Sequence, residues 1–210
     1  MTTIIKVENI SRKIKDKVIF QNISFNVEKG QCVGLVGHNG SGKTMIMKAV
    51  CGFIPIDAGE IYVNNHKIIS GKEFIKNAGI LIESPSFFNY LSGLRNLEIL
   101  ANIQQKITSE QISHTLEQVG LLEAQSKKVN TYSLGMKQKL RIAQALMENP
   151  EILILDEPFN GLDRQSIQQL QTLLKEFQSK GATILLTTHD DRLISALCDT
   201  VYELESGQFI

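Results

Sequence analysis

Apolar and polar residues alternate early in the chain and recur every three to four positions later, so the change of period divides it. Residues 4–7, 18–20, the alternating Ile23-Ser24-Phe25-Asn26-Val27 and the apolar run 32–36 read as strands, with Glu28-Lys29-Gly30 as a turn. Met45, Met47 and Val50 then give a helical spacing that Cys51-Gly52 and Pro55 stop. Ile61-Tyr62-Val63 and Lys67-Ile68-Ile69 flank Asn64-Asn65, a hairpin signal that predicts a small antiparallel patch. Residues 78–82 form a short apolar run, a buried strand that ends at Glu83-Ser84-Pro85.

From there to about Met147 strand signals vanish. Leu94, Leu97, Leu100 and Ala101 share one helix face, Ile112, Leu116 and Val119 a second, and Leu140, Ala143 and Leu146 a third. This predicts a helical lobe, residues 84–147, inserted into a sheet-containing core of residues 1–83 and 148–210. After Pro150, Ile152-Leu153-Ile154-Leu155 is a fully apolar strand, as a central parallel strand would be. Ile167, Leu170, Leu173, Leu174 and Phe177 make a core-facing helix stripe ended by Gly181. A strand at 182–187, a helix at 190–198, a strand at 201–204 and an edge at 208–210 follow. Strands alternating with helices predict an α/β fold with a mainly parallel central sheet.

The 210 residues suit a single domain able to bury roughly 70 % of its unfolded surface. Lys plus Arg number 22 and Asp plus Glu 22, so no global charge draws the chain to nucleic acid or an anionic membrane. Cys32, Cys51 and Cys198 are odd in number and set in apolar surroundings, which reads as buried free thiols in a reducing, cytoplasmic compartment. The opening residues carry no signal-like run, and nowhere do about 18 apolar residues occur together. Any membrane role therefore needs a separate spanning partner.

The chemistry centres on Gly37-His38-Asn39-Gly40-Ser41-Gly42-Lys43-Thr44, which fits the G-x-x-x-x-G-K-[ST] phosphate-binding loop between a strand and a helix. Its glycines let consecutive N–H groups face phosphate oxygens, and the helix start adds partial positive charge. Lys43 would neutralise the phosphates, and the Thr44 hydroxyl would ligate Mg²⁺. Asp156-Glu157 follows the central strand at the edge where open α/β sheets bind ligands. Asp156 would hold the metal with Thr44, and Glu157 would polarise the attacking water. His189, beyond the neighbouring strand, has a reason to face the same phosphate.

Tyr132-Ser133-Leu134-Gly135-Met136, followed by Lys137-Gln138, resembles the signature segment of ABC-type ATPases. The order of phosphate loop, helical lobe, signature, Asp156-Glu157, Asn160-Gly161-Leu162-Asp163 and His189 extends that resemblance over nearly the whole chain. It implies a P-loop NTPase fold of the ABC type with a small antiparallel β subdomain and an inserted helical lobe. It also implies ATP and Mg²⁺ as ligands and a second ATPase domain, as a homodimer. In such a dimer each ATP lies between one phosphate loop and Ser133, Gly135 and Met136 of the partner subunit, with Asp163 at the interface. A separate transmembrane permease would hold the protein at the inner face of the cell membrane, and Phe87, Phe88, Tyr90 and Leu91 are the candidate contact. No nucleic-acid partner is expected. A soluble ABC ATPase acting in cofactor or protein-complex assembly is the other reading.

Four positions depart from the family. Glu83 stands where a Gln is usual, and a carboxylate there would bind Mg²⁺ more strongly than an amide. Leu134 and Met136 replace the commoner Gly and Gln of the signature. Together with Ser84-Pro85-Ser86-Phe87-Phe88 these resemble the subgroup serving export of, or immunity to, peptide antibiotics of the bacitracin and lantibiotic types. Ile14 falls where an aromatic residue usually stacks on adenine, so base stacking worth about 1–3 kcal/mol is partly lost. The expectation is that phosphate contacts dominate affinity and that ATP is only weakly preferred over GTP.

Overall fold

A computed structural model describes residues 2–83 and 86–210. The first two strands, β1 (Thr3–Ile14) and β2 (Lys17–Glu28), form a long antiparallel hairpin. With β4 (Ala58–Val63) and the two-residue β5 (His66–Lys67) they make a four-stranded sheet in the order β2-β1-β4-β5. The hydrophobic period signalled only residues 4–7 of β1, because bulges interrupt it. Register shifts fall between Val7 and Ile10, where Asn9 has a φ of 50°, and each extra residue moves the buried phase by one. Ile5, Val7 and Ile10 are all buried as a result. The expected strand at 67–69 is shorter: Ile69 bridges Glu73 instead of continuing the ladder.

The second sheet contains β3 (Cys32–Val36), β6 (Ala78–Leu81), β7 (Ile152–Leu155), β8 (Thr183–Thr187), β9 (Thr200–Glu205) and β10 (Gln208–Phe209), ordered β10-β9-β3-β8-β7-β6. Its β9, β3, β8, β7 and β6 neighbours pair in parallel, and β10 pairs antiparallel with β9. Every residue of β7 is buried. Leu153 and Leu155 pack into one core, while Ile152 and Ile154 pack into the other. Both faces of the sheet are therefore covered, which is why the strand reads as an unbroken apolar run.

One core joins the sheet to α1 (Lys43–Cys51) and the antiparallel sheet. The other joins it to α5 (Arg164–Ser179), α6 (Asp191–Leu197) and the helical lobe of α2 (Gly93–Gln104), α3 (Ser109–Gln118) and α4 (Leu134–Leu146). The predicted stripes are the packed faces: Leu97, Ala101, Ile112, Leu116, Leu140, Ala143 and Leu146 are all buried. Thr108 and Gln111 form a reciprocal capping box that starts α3. Ser84 and Pro85, expected to end β6, lie outside the described residues. The three cysteines are free, but Cys32 and Cys198, 166 residues apart, bring their sulfur atoms to 3.6 Å. The strands that matter for chemistry, β3, β7 and β8, are parallel neighbours, so their following residues leave the sheet at one edge.

Candidate functional site

At that edge the loop after β3 turns sharply into α1. Gly37 has a φ of 141°, and a Cβ there would lie 2.1 Å from the Leu204 carbonyl oxygen, so the turn admits no side chain. Lys43 is 6 % exposed, and its Nζ donates to the carbonyls of Gly37 at 2.7 Å and His38 at 3.1 Å. The ammonium is thus bent over the loop it belongs to. The Ser41 Oγ is buried without a hydrogen-bond partner, and such an orphan polar atom inside a phosphate-type loop fits an oxygen-rich anion.

The acids after β7 are tied to this loop by hydroxyls. Thr44 Oγ1 donates to Asp156 Oδ2 at 2.7 Å, and Thr187 Oγ1 donates to Asp156 Oδ1 at 2.8 Å. The same Thr187 oxygen accepts the Glu157 N–H at 2.8 Å. Glu157 has a φ of 49°, a left-handed conformation that a non-glycine residue adopts at a cost, and this bond helps hold it there. His189 Nδ1 lies 3.0 Å from Glu157 Oε2. Asp156-Glu157 and His189, predicted from two separate stretches, therefore form one connected chain of bonds with Thr44 through Thr187. Thr44 and Asp156 offer hard oxygens, the donor type that suits Mg²⁺.

Sequence reasoning missed Thr187, which is fully buried at the end of β8 and there reads as part of an apolar strand. It also missed Gln138, whose buried Nε2 donates to the Pro158 carbonyl at 3.0 Å and so joins α4 to the segment after Glu157. A buried Gln one turn into an amphipathic helix was the available signal.

A cavity of about 520 Å³ opens on this edge. One end is lined by Asn39, Gly40, Gly42, Lys43, Thr44, Asp156 and Glu157, the other by Lys17, Val18, Ile19, Ser206 and Gly207. Ile14 does not line it; it ends β1, 42 % exposed, directly across the hairpin from Lys17. A larger cleft of about 650 Å³ sits around the opposite end of β6, between α2 and α4, and holds none of the candidate residues. The candidate residues lie with the smaller one.

Glu83, φ 59°, forms an ion pair with Lys48 of α1. Lys48 follows Thr44 by four residues on the same helix, so the two side chains share one face of α1.

Ser133, Gly135 and Met136 do not line the cavity. Ser133 caps α4, its Oγ accepting the Met136 N–H at 3.2 Å, and Leu134 beside it is 68 % exposed. A Cβ on Gly135 would lie 3.0 Å from the Gly161 carbonyl oxygen, so a small residue lets the helix start approach that loop. Asp163 caps α5, and the backbone N–H and hydroxyl of Ser166 hold its carboxyl below the usual carboxylate range.

The aromatic segment is split. Phe87 packs against the core of the helical lobe, whereas Phe88 and Tyr90 are 51 % and 67 % exposed, with ring centroids 5.9 Å apart. Buried Asn96 fixes the Phe88 backbone, accepting from its N–H at 2.8 Å and donating to its carbonyl at 3.1 Å. No helix among the described residues is long and apolar enough to cross a membrane.

Residues 20–160 match the ABC transporter family. The chain is 38 % identical over 204 residues to the ABC transporter ATP-binding protein YybJ of Bacillus subtilis (strain 168), covering 97 % of this chain and 94 % of that protein. It is 35 % identical to the bacitracin transport ATP-binding protein BcrA of Enterococcus faecalis, covering 100 % of this chain and 69 % of that one. Among solved structures, an ATP-binding subunit of an ABC transporter superposes with a TM-score of 0.87 at 28 % identity, covering 98 % of this chain and 88 % of that one.

Proposed function

The chain belongs to the ABC transporter family as an ATP-binding, ATP-hydrolysing cassette, and from that premise we propose that it dimerises around ATP to drive a separate membrane permease. The bonded chain from Thr44 through Asp156 and Thr187 to Glu157 and His189 is the observation that carries this reading. It joins a phosphate loop to an acid positioned to act on water.

In the proposed site residues 37–44 cradle the triphosphate, with backbone N–H groups and the Lys43 ammonium released from the Gly37 and His38 carbonyls. Thr44 and Asp156 would hold Mg²⁺, which offsets charge on the phosphate oxygens; Glu83 joins them only by giving up Lys48. Glu157 orients the attacking water and accepts its proton, while His189 fixes the Glu157 carboxylate and faces the developing charge. Ser133, Gly135 and Met136 lie outside this chain's own cavity, at the start of α4, where Leu134 is exposed. That placement supports their serving the nucleotide of a second copy, with the two subunits related head to tail.

Phe88 and Tyr90, presented by Asn96 on the outside of the helical lobe, are the proposed permease contact. The protein would then meet the membrane only through that subunit, at its inner face. Kinship with a bacitracin transport protein and the unusual signature support a task in peptide-antibiotic export or immunity.

Glu157→Gln tests the core of the proposal. The variant should lose more than about a hundredfold in turnover, a removed general base being worth about 10²–10⁴, and should accumulate as ATP-bound dimers on size exclusion. Normal hydrolysis by this variant would refute the assignment of Glu157.

A further inference from the structure

The cavity has an end that the phosphates do not use, and it bears on which base is accepted, an inference that rests on the nucleotide site proposed above. With the triphosphate on Gly40, Gly42, Lys43 and Thr44, the wall left for the base is Lys17, Val18 and Ile19 with the Ser206-Gly207 turn. No aromatic ring lines the cavity among the described residues. Val18, 46 % exposed, offers aliphatic surface to a ring face but no π-system to stack on it.

The polar side chains of this wall are those of Lys17 and Ser206, and Lys17 alone is charged. Its backbone is fixed by pairing with Ile14 at the hairpin turn, and its ammonium has no partner among the described residues. An ammonium has three donors and no acceptor. Guanine presents two adjacent acceptors, N7 and O6, whereas adenine places an amino donor beside N7. A donor-only group therefore gains two acceptors with guanine, and with adenine one acceptor next to a competing donor. We propose that Lys17 contacts the base and that GTP is bound at least as tightly as ATP. The sequence alone suggested a weak preference for ATP; the cavity removes it, because Ile14 lies outside the wall and Lys17 lies in it.

Displacement of a ribose-labelled fluorescent ATP by unlabelled ATP or GTP, in EDTA so that no hydrolysis occurs, reads both dissociation constants. The wild-type protein should give a GTP to ATP ratio of one or below. Lys17→Glu, which offers only acceptors, should bind both nucleotides more weakly through repulsion and raise that ratio by about tenfold, the scale of one charge-assisted hydrogen bond. Lys17→Met should fall between. A tenfold wild-type preference for ATP, or a ratio unmoved by Lys17→Glu, would overturn the role of Lys17. Displacement by neither nucleotide would instead overturn the nucleotide site itself.

Discussion

The phosphate edge and the start of α4 both carry small polar residues, yet different bonds hold them. At the phosphate edge Thr187 alone joins two acids of another strand, and Thr44 reaches the same carboxylate from a helix. The start of α4 is bonded within its own turn, from Ser133 Oγ to the Met136 N–H, and leaves Leu134 in solvent. One is bonded across three elements of a single chain; the other is bonded only to itself and exposes Leu134. The proposed two-subunit site would use this asymmetry, because the half that reacts must be rigid before the half that closes arrives.

Removing the Thr187 hydroxyl should break the rigid half most severely of the changes considered next. Thr187→Val keeps the shape of the side chain but leaves the Asp156 Oδ1 and the Glu157 N–H without their partner. We expect a loss of about 2–3 kcal/mol in urea unfolding, given about 1–3 kcal/mol for each unsatisfied buried group. Turnover should fall by at least about tenfold, because the left-handed Glu157 backbone loses an anchor. Wild-type turnover in a destabilised Thr187→Val protein would show that Glu157 is held by the strand and not by this bond.

Thr187 also marks where the sequence stopped being informative. The phosphate loop was legible because all its residues are contiguous, and Asp156-Glu157 because a buried strand announces them. His189 followed from its place after the next strand. Thr187 reads as one more residue of an apolar strand until the fold sets it 2.8 Å from a carboxylate contributed by a residue 31 positions away. Bulges hid most of β1, since one extra residue at Asn9 breaks the alternation on which strands are recognised. Lys17 was invisible for another reason: a lysine at a hairpin turn is ordinary until the opposite wall of the cavity is known. The Cys32 and Cys198 thiols likewise meet only because β3 and the end of α6 pack together.

The half at the start of α4 makes a smaller and different prediction. Ser133→Ala removes one helix cap, about 1 kcal/mol of monomer stability, and leaves the bonds around Asp156 intact. Placed in a Glu157→Gln background, it should weaken the ATP-bound dimer by about tenfold in sedimentation equilibrium, while nucleotide affinity of the monomer stays within about twofold, since one charge-assisted hydrogen bond is worth about 1.5–3 kcal/mol. Equal losses in monomer and dimer would remove the distinction between the two halves.

Glu83 lies at the margin of the rigid half and should give the smallest effect. A carboxylate near the metal position would repel the triphosphate unless another charge offsets it. Lys48 supplies that charge from the same face of α1 as Thr44, and the Glu83 side chain, 64 % exposed, also keeps contact with water. To ligate Mg²⁺, Glu83 would exchange a formed ion pair for a cation that retains its own waters strongly, so the gain is small. Glu83→Gln should therefore move the magnesium concentration for half-maximal hydrolysis by less than about threefold, whereas a direct carboxylate ligand would move it by about tenfold or more, the scale of one charge-assisted contact. A tenfold shift would place Glu83 in the metal shell beside Thr44 and Asp156. The expected small shift would make the Lys48 pair the means by which this chain carries an acid beside its phosphate site.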